Sequence, residues 1–137
     1  MRIVVNTNRI IAALIREGIS RKILLNRNFD FIVPDDSISE IYKYEEEIRE
    51  KTKLSHEEFE ILLFFLFENV VIIPKEDYSA FIPESSTLIS DFKDISFIAC
   101  CLATKAEGIW SEDPHFLEQN KIKIFKTKDI IDLIESQ

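Results

Sequence analysis

Three β-branched residues, Ile3-Val4-Val5, run directly into three small polar ones, Asn6-Thr7-Asn8, and a helical apolar pattern at Ile10, Ile11, Leu14 and Ile15 follows at once. A short, wholly apolar run suits a strand buried on both faces, and the period then changes from strand to helix within a few residues. The reading is a buried strand whose C-terminal end delivers Asn6 to a helix N-terminus. In open parallel α/β sheets, ligands bind just beyond the carboxyl ends of the strands. Asn6 is therefore expected in any site this chain carries.

The same unit recurs along the chain. Residues 9–17 read as a helix ended by Gly18, and Ser20 as the N-cap of a short helix over 21–27. Residues 29–33 form a second strand closed by Pro34, and Asp35-Asp36-Ser37 caps a helix running through Ile38, Ile41, Tyr42 and Ile48. Ser55-His56-Glu57-Glu58 resembles a capping box for a helix reaching Phe67, and Val70–Ile73 is a third strand bounded by Pro74. Pro83 leaves 76–90 open between two short helices and a loop with a helix. A helix then starts at Asp91 or Asp94, with Ile95, Ile98, Cys101 and Leu102 on one face and Gly108 as its end. Ile109-Trp110 and residues 122–125 are the last strands, and Thr127 caps a final helix. Alternation of this kind predicts a Rossmann-like α/β/α sandwich around a mainly parallel five-stranded sheet. With 137 residues the chain is expected to form one domain, 1–137, with a helical insertion at about 42–67.

Composition narrows the class. Hydrophobic residues make up 46% of the chain, too many for a disordered one. No apolar run reaches the length of a membrane span, and no signal-peptide pattern opens the chain. Cys100 and Cys101 are adjacent, which disfavours a mutual disulfide and suggests buried thiols in a reducing, cytoplasmic setting. The net charge of -8 argues against a simple nucleic-acid coat protein. The average hides an asymmetry: residues 1–28 carry six bases against Glu17 alone, and the remainder holds 11 bases and 24 acids. That basic segment reads either as a phosphate-attracting face or as a solvated surface.

The polar residues at strand ends and first helical turns are Asn6, Asp35/Asp36, Glu40, Asp91/Asp94 and Asp113. Parallel topology would bring them to one edge of the sheet. Clustered carboxylates repel, and a hard divalent cation removes the penalty because Mg²⁺ and Mn²⁺ prefer oxygen ligands. Such a cation can activate water and stabilise charge on a phosphodiester. Each acid also has a structural reading. Asp91 and Asp94 are ordinary helix starters, Glu40 could face water beside Lys43 or Tyr44, and Asp113 before Pro114 is a common turn initiator. His56 and His115 lack metal-ligand spacing with each other or with the cysteines; His56 reads as a surface residue and His115 as a flank of the acidic site. Neither phosphate-cradling glycine motif nor a nucleophile elbow occurs.

The ordered set resembles a PIN domain, the small nuclease family that includes VapC-type toxins. An apolar strand followed by Asp-Thr-Asn opens that family, and here it stands as Ile3-Val4-Val5-Asn6-Thr7-Asn8. The second acid matches Glu40 in Ser37-Ile38-Ser39-Glu40-Ile41, the third Asp94 in Asp94-Ile95-Ser96-Phe97, and the fourth Asp113 in Trp110-Ser111-Glu112-Asp113. The resemblance covers nearly the whole chain. It implies a Mg²⁺- or Mn²⁺-dependent endoribonuclease acting on RNA, with Asn6, Glu40, Asp94 and Asp113 as the catalytic and metal-binding positions. Thr7, Asn8 and Ser111 would support them, and Asp91 could substitute for Asp94. It also implies the toxin half of a toxin–antitoxin pair.

The departure is Asn6, where the family has Asp. An amide offers a carbonyl oxygen but no negative charge, so weakened metal binding and weak cleavage are expected. The alternative function is a catalytically degenerate PIN-fold module that binds RNA or protein. A phosphoacceptor receiver domain has similar topology, but Asn6-Thr7-Asn8 and Ile73-Pro74-Lys75 lack the acids it needs. Residues 61–67 are apolar all round, where a helix on a sheet needs one apolar stripe. The excess suggests a homodimer contact or a partner-peptide groove, with full burial in one chain as the alternative.

Overall fold

The computed structural model describes residues 1–136. Five strands form one sheet: β1 (Arg2–Val5), β2 (Asp30–Pro34), β3 (Val70–Ile73), β4 (Gly108–Trp110) and β5 (Ile124–Phe125). Their order is β3-β2-β1-β4-β5, and every neighbouring pair is parallel. The central strands β1 and β2 are buried beyond their first residues, as both-face burial demands of apolar β-branched runs.

Strand alternation divides the core in two. Ile3, Val5, Phe31, Val33 and Trp110 face one layer, built from α1 (Thr7–Ile15), α2 (Ile19–Leu24), α3 (Asp36–Lys43), α4 (Glu45–Thr52), α5 (His56–Leu66) and α9 (Thr127–Glu135). Val4, Ile32 and Ile109 face the other, built from α6 (Lys75–Tyr78), α7 (Ile82–Leu88) and α8 (Ile95–Thr104). The result is the expected Rossmann-like α/β/α sandwich. Within 42–67, Ile48, Phe59, Leu63 and Leu66 belong to the first core layer. Cys100 and Cys101 are buried free thiols on α8. No helix among the described residues is long and apolar enough to cross a membrane.

Several boundaries differ from the sequence reading, each for a local reason. Helix α1 starts at Thr7 because the Asn6 side chain accepts a hydrogen bond from the Asn8 backbone N–H, at 2.9 Å. Gly18 precedes α2 in extended geometry, so Ser20 lies buried inside that helix instead of capping it. The single helix expected through Ile48 is two, broken at Tyr44. Pro34 is the last residue of β2, opposite Ile73, instead of a boundary outside it. Pro83 lies in the first turn of α7, where a missing N–H breaks no helical bond. Helix α8 ends at Lys105, in the left-handed region at φ 55°, three residues before Gly108. Gly108 serves the sheet: a Cβ there would lie 2.3 Å from the Lys123 carbonyl oxygen. Strand β5 is two residues long, and Lys126 precedes α9 as its N-cap. Thr127 instead accepts a hydrogen bond from Trp110 Nε1, at 3.1 Å.

Candidate active site

The sheet order brings the acids together. The chain lays β2 and β3 on one side of β1 and then crosses to lay β4 and β5 on the other, so the C-terminal ends of β1 and β4 flank the topological switch point. The Asn6 N–H donates to the Trp110 carbonyl at 3.0 Å, tying the two strand ends together. Helix α8 packs on β1 and β2, and the 3-10 turn that leads into it brings Asp91 and Asp94 to the same edge. From the far side α3 brings Glu40.

A cavity of about 430 Å³ opens there, lined by Asn6, Asn8, Glu40, Asp91, Asp94 and Asp113. Thr7 and Ser111 stand behind it. The Thr7 and Ser37 hydroxyls hydrogen-bond at 2.7 Å in the interior, pinning α1 to α3. Ser111 Oγ accepts from the Asp113 N–H at 2.9 Å and orients the turn that carries this acid. Asp35 has a different task. Its carboxylate accepts from the Tyr78 hydroxyl at 2.8 Å and the Lys75 N–H at 2.9 Å, which anchors α6.

Asp94 dominates the electrostatics. It is only 6% exposed, and its Oδ2 is enclosed without a hydrogen-bond partner. Burial, then the charges of Asp91 and Asp113, pushes its carboxyl up to about 6; His115 acts in the opposite direction and Glu40 adds to the rise. Burial also raises Glu40, reinforced by Asp36 and opposed by Lys93 and Lys43. Asp36 is raised by burial as well, against a hydrogen bond from Ser96 Oγ at 3.2 Å. Three carboxyl groups thus resist ionisation in one small region, the condition a bound cation relieves. The donors are hard oxygens, and one buried carboxylate oxygen lacks any partner, so the set fits Mg²⁺ or Mn²⁺.

A family model described as PIN domain matches residues 4–130. The chain belongs to the PIN domain family. PIN domains are generally nucleases, which agrees with an acidic cavity at the sheet's C-terminal edge. No curated protein matches the chain.

Some lining groups of this PIN domain were not singled out from sequence. Lys43, Lys93, Ser39, Tyr44 and Phe97 complete the cavity wall. Lys43 carried a usable signal, since a residue three positions after Glu40 shares its helix face. The basic N-terminal segment is partly spent on structure. Arg21 donates to the Ala13 and Leu14 carbonyls, at 2.8 and 3.2 Å, and Arg2 to the Thr104 carbonyl at 2.9 Å. His56 bridges Glu45 and Glu60, at 2.5 and 2.8 Å, between α4 and α5.

Proposed function

We propose that this PIN domain is a Mg²⁺- or Mn²⁺-dependent endoribonuclease weakened by Asn6, with Asn6, Glu40, Asp94 and Asp113 as its metal-binding and catalytic positions. The observation that carries the proposal is a buried Asp94, its Oδ2 without a hydrogen-bond partner, in the wall of a cavity shared with Glu40 and Asp113. A bound cation would offset the carboxylate repulsion, lower the pKa of a water nucleophile and stabilise the departing oxygen of the phosphodiester.

The protein's own groups do the rest. Glu40, Asp94 and Asp113 would hold the cation or orient a water beside it. Lys43 and Lys93, on the wall of the same cavity, attract the RNA backbone to an otherwise acidic surface. Asn8 offers an amide at the mouth, and Thr7 and Ser111 keep the strand ends rigid. Asn6 supplies an oxygen without a charge, and that oxygen already caps α1.

The decisive experiment is Mn²⁺-dependent cleavage of RNA by the parent chain and by Asn6→Asp, with metal affinity from calorimetry. Asn6→Asp is expected to raise both cleavage and affinity. Equal values in the two proteins, or cleavage by neither, would count against Asn6 as a crippled ligand. The second reading, a degenerate RNA- or protein-binding module, draws support from Asn6 itself. It expects RNA binding by fluorescence anisotropy with no cleavage even in Asn6→Asp.

Two features of the biological setting belong to the same proposal. As a toxin of a toxin–antitoxin pair in a reducing cytoplasm, Asn6→Asp would slow growth when induced in a microbial host, and co-expressed antitoxin would relieve it. The chain acts as one domain, 1–137, and a second copy covers the apolar face of α5 and β3, where Ile61, Phe64, Val71 and Ile72 are exposed.

A further inference from the structure

The two chain neighbours of Phe92, Asp91 and Lys93, both line the acid cavity. Consecutive Cα atoms lie about 3.8 Å apart, so Phe92 stands beside the cavity wall. It is 86% exposed, the highest value for a large apolar residue among the described residues. It belongs to neither core layer and pairs with no other aromatic ring among those residues. The backbone beneath it is fixed on both sides. Asp91 Oδ1 accepts from the Lys93 N–H at 2.9 Å, and the Asp94 N–H donates to the Asp91 carbonyl at 3.0 Å. The 3-10 turn Phe92–Asp94 thus holds a bare ring in solvent. A single exposed apolar side chain is ordinary by itself, and here the place distinguishes it. The other exposed aromatic residues, Tyr42, Phe64 and Phe65, lie on α3 and α5 and do not line the acid cavity.

We propose that Phe92 is a base-stacking residue: an unpaired nucleobase lies on its ring while the adjoining phosphate reaches the acid cavity. The proposal rests on RNA being the ligand of the proposed nuclease. Surfaces that bind RNA ordinarily draw on lysines and arginines, which release counterions from the phosphates. Here Lys43 and Lys93 share one cavity wall with Glu40, Asp91, Asp94 and Asp113, on a chain of net charge -8. Attraction through charge is therefore weak, and an uncharged contact has to supply affinity. Every nucleobase presents a π-face, so stacking on an aromatic ring serves any sequence. In a duplex the faces of internal bases are already covered by neighbouring pairs, so the ring selects single strands.

Fluorescence anisotropy with a short labelled oligoadenylate, in Mg²⁺ buffer, tests the proposal. Phe92→Ala should weaken binding at least about fivefold, as loss of one stacked base does. Phe92→Leu should weaken it to the same degree, and Phe92→Trp should restore it, because the contact needs a ring and not merely an apolar surface. The loss in Phe92→Ala should be equal at low and high salt, whereas Lys93→Ala should weaken binding chiefly at low salt. Binding of duplex RNA should not respond to Phe92→Ala. Direct contact is read from emission: Trp110 is the only tryptophan of the parent and is fully buried, so oligoadenylate should quench Phe92→Trp and leave the parent unchanged.

Full affinity in Phe92→Ala or in Phe92→Leu would overturn the proposal and leave the nuclease reading standing. An equal loss for single-stranded and duplex RNA would overturn it as well. So would unquenched emission in Phe92→Trp, or a change of mass in light scattering on Phe92→Ala, which would make the ring a protein contact. Failure of both the parent and Asn6→Asp to bind any RNA would overturn the nuclease reading and this proposal together. The side chain is exposed, so these substitutions leave the fold intact, which a thermal melt checks.

Discussion

Asp94 is where the charge problem of this protein is concentrated. Its carboxyl is raised to about 6 in the folded chain, first by burial and then by neighbouring acids, against about 3.9 when unfolded. Between those values the native state binds the extra proton. This stability is fully present below the unfolded value and is lost as pH rises through about 6. In metal-free protein, Asp94→Asn should therefore melt higher than the parent near neutral pH, and no higher at about pH 4. Scanning fluorimetry in chelator checks both. Mn²⁺ should abolish the advantage by stabilising the parent, and parent affinity for Mn²⁺ should fall as the pH drops below about 6. Asn6→Asp makes the converse case. Aspartate caps a helix as well as asparagine, so the Asn8 N–H keeps an acceptor. The variant should melt lower than the parent without metal, through repulsion with Asp94, and recover with Mn²⁺.

At the level of elements, caps and close approaches decide the boundaries. Ser55 and Glu58 form a reciprocal box at the start of α5: the Glu58 N–H donates to Ser55 Oγ at 3.1 Å, and the Ser55 N–H donates to Glu58 Oε1 at 2.9 Å. Ser55→Ala should cost about 1 kcal/mol in urea denaturation. Gly108 matters more. An added methyl would strike the Lys123 carbonyl oxygen and the Phe125 ring, in the pairing of β4 with β5. Gly108→Ala should cost about 1–3 kcal/mol by overpacking. It should also weaken metal binding, because Ser111 and Asp113 hang from the end of β4. The two substitutions differ in that respect: Ser55 lies at the start of α5 and does not line the cavity, so its replacement should leave metal affinity unchanged.

Across the whole molecule, the chain exposes an apolar face away from the acid cavity. Phe64 is 77% and Ile61 69% exposed on α5, and the neighbouring edge strand β3 shows Val71 and Ile72 to solvent. Leu63 and Leu66 of the same helix are buried, so full burial of 61–67 within one chain is excluded. An edge strand without a charge or an internal proline is an open template for association. The homodimer proposed above predicts a twofold mass in light scattering for the parent and a monomer for Phe64→Glu. RNA affinity should meanwhile fall with rising salt, since Lys43 and Lys93 act through charge.

Much of this protein was legible in its chain. Ile3-Val4-Val5 before Asn6 announced a buried strand feeding a helix, and repetition of that unit announced a parallel sheet. Because parallel strands must all end at one edge, the sequence alone places Asn6, Glu40, Asp94 and Asp113 together. Local chemistry was harder to read. Asp35 and Asp36 are adjacent and equally acidic, yet Tyr78 and the Lys75 N–H engage Asp35, while Asp36 takes a bond from Ser96 on α8. Lys93 becomes part of the cavity wall only because α8 packs across β1 and β2. The approach of His115 to Asp91 spans 24 residues and depends on where the turn after β4 meets the turn before α8. Periodicity and turn chemistry are written in neighbours along the chain, and they determined the layers and the edge. Which acids are spent on structure, which remain without a partner and which cations stand beside them depends on packing between elements remote in sequence, and only the tertiary structure decided that.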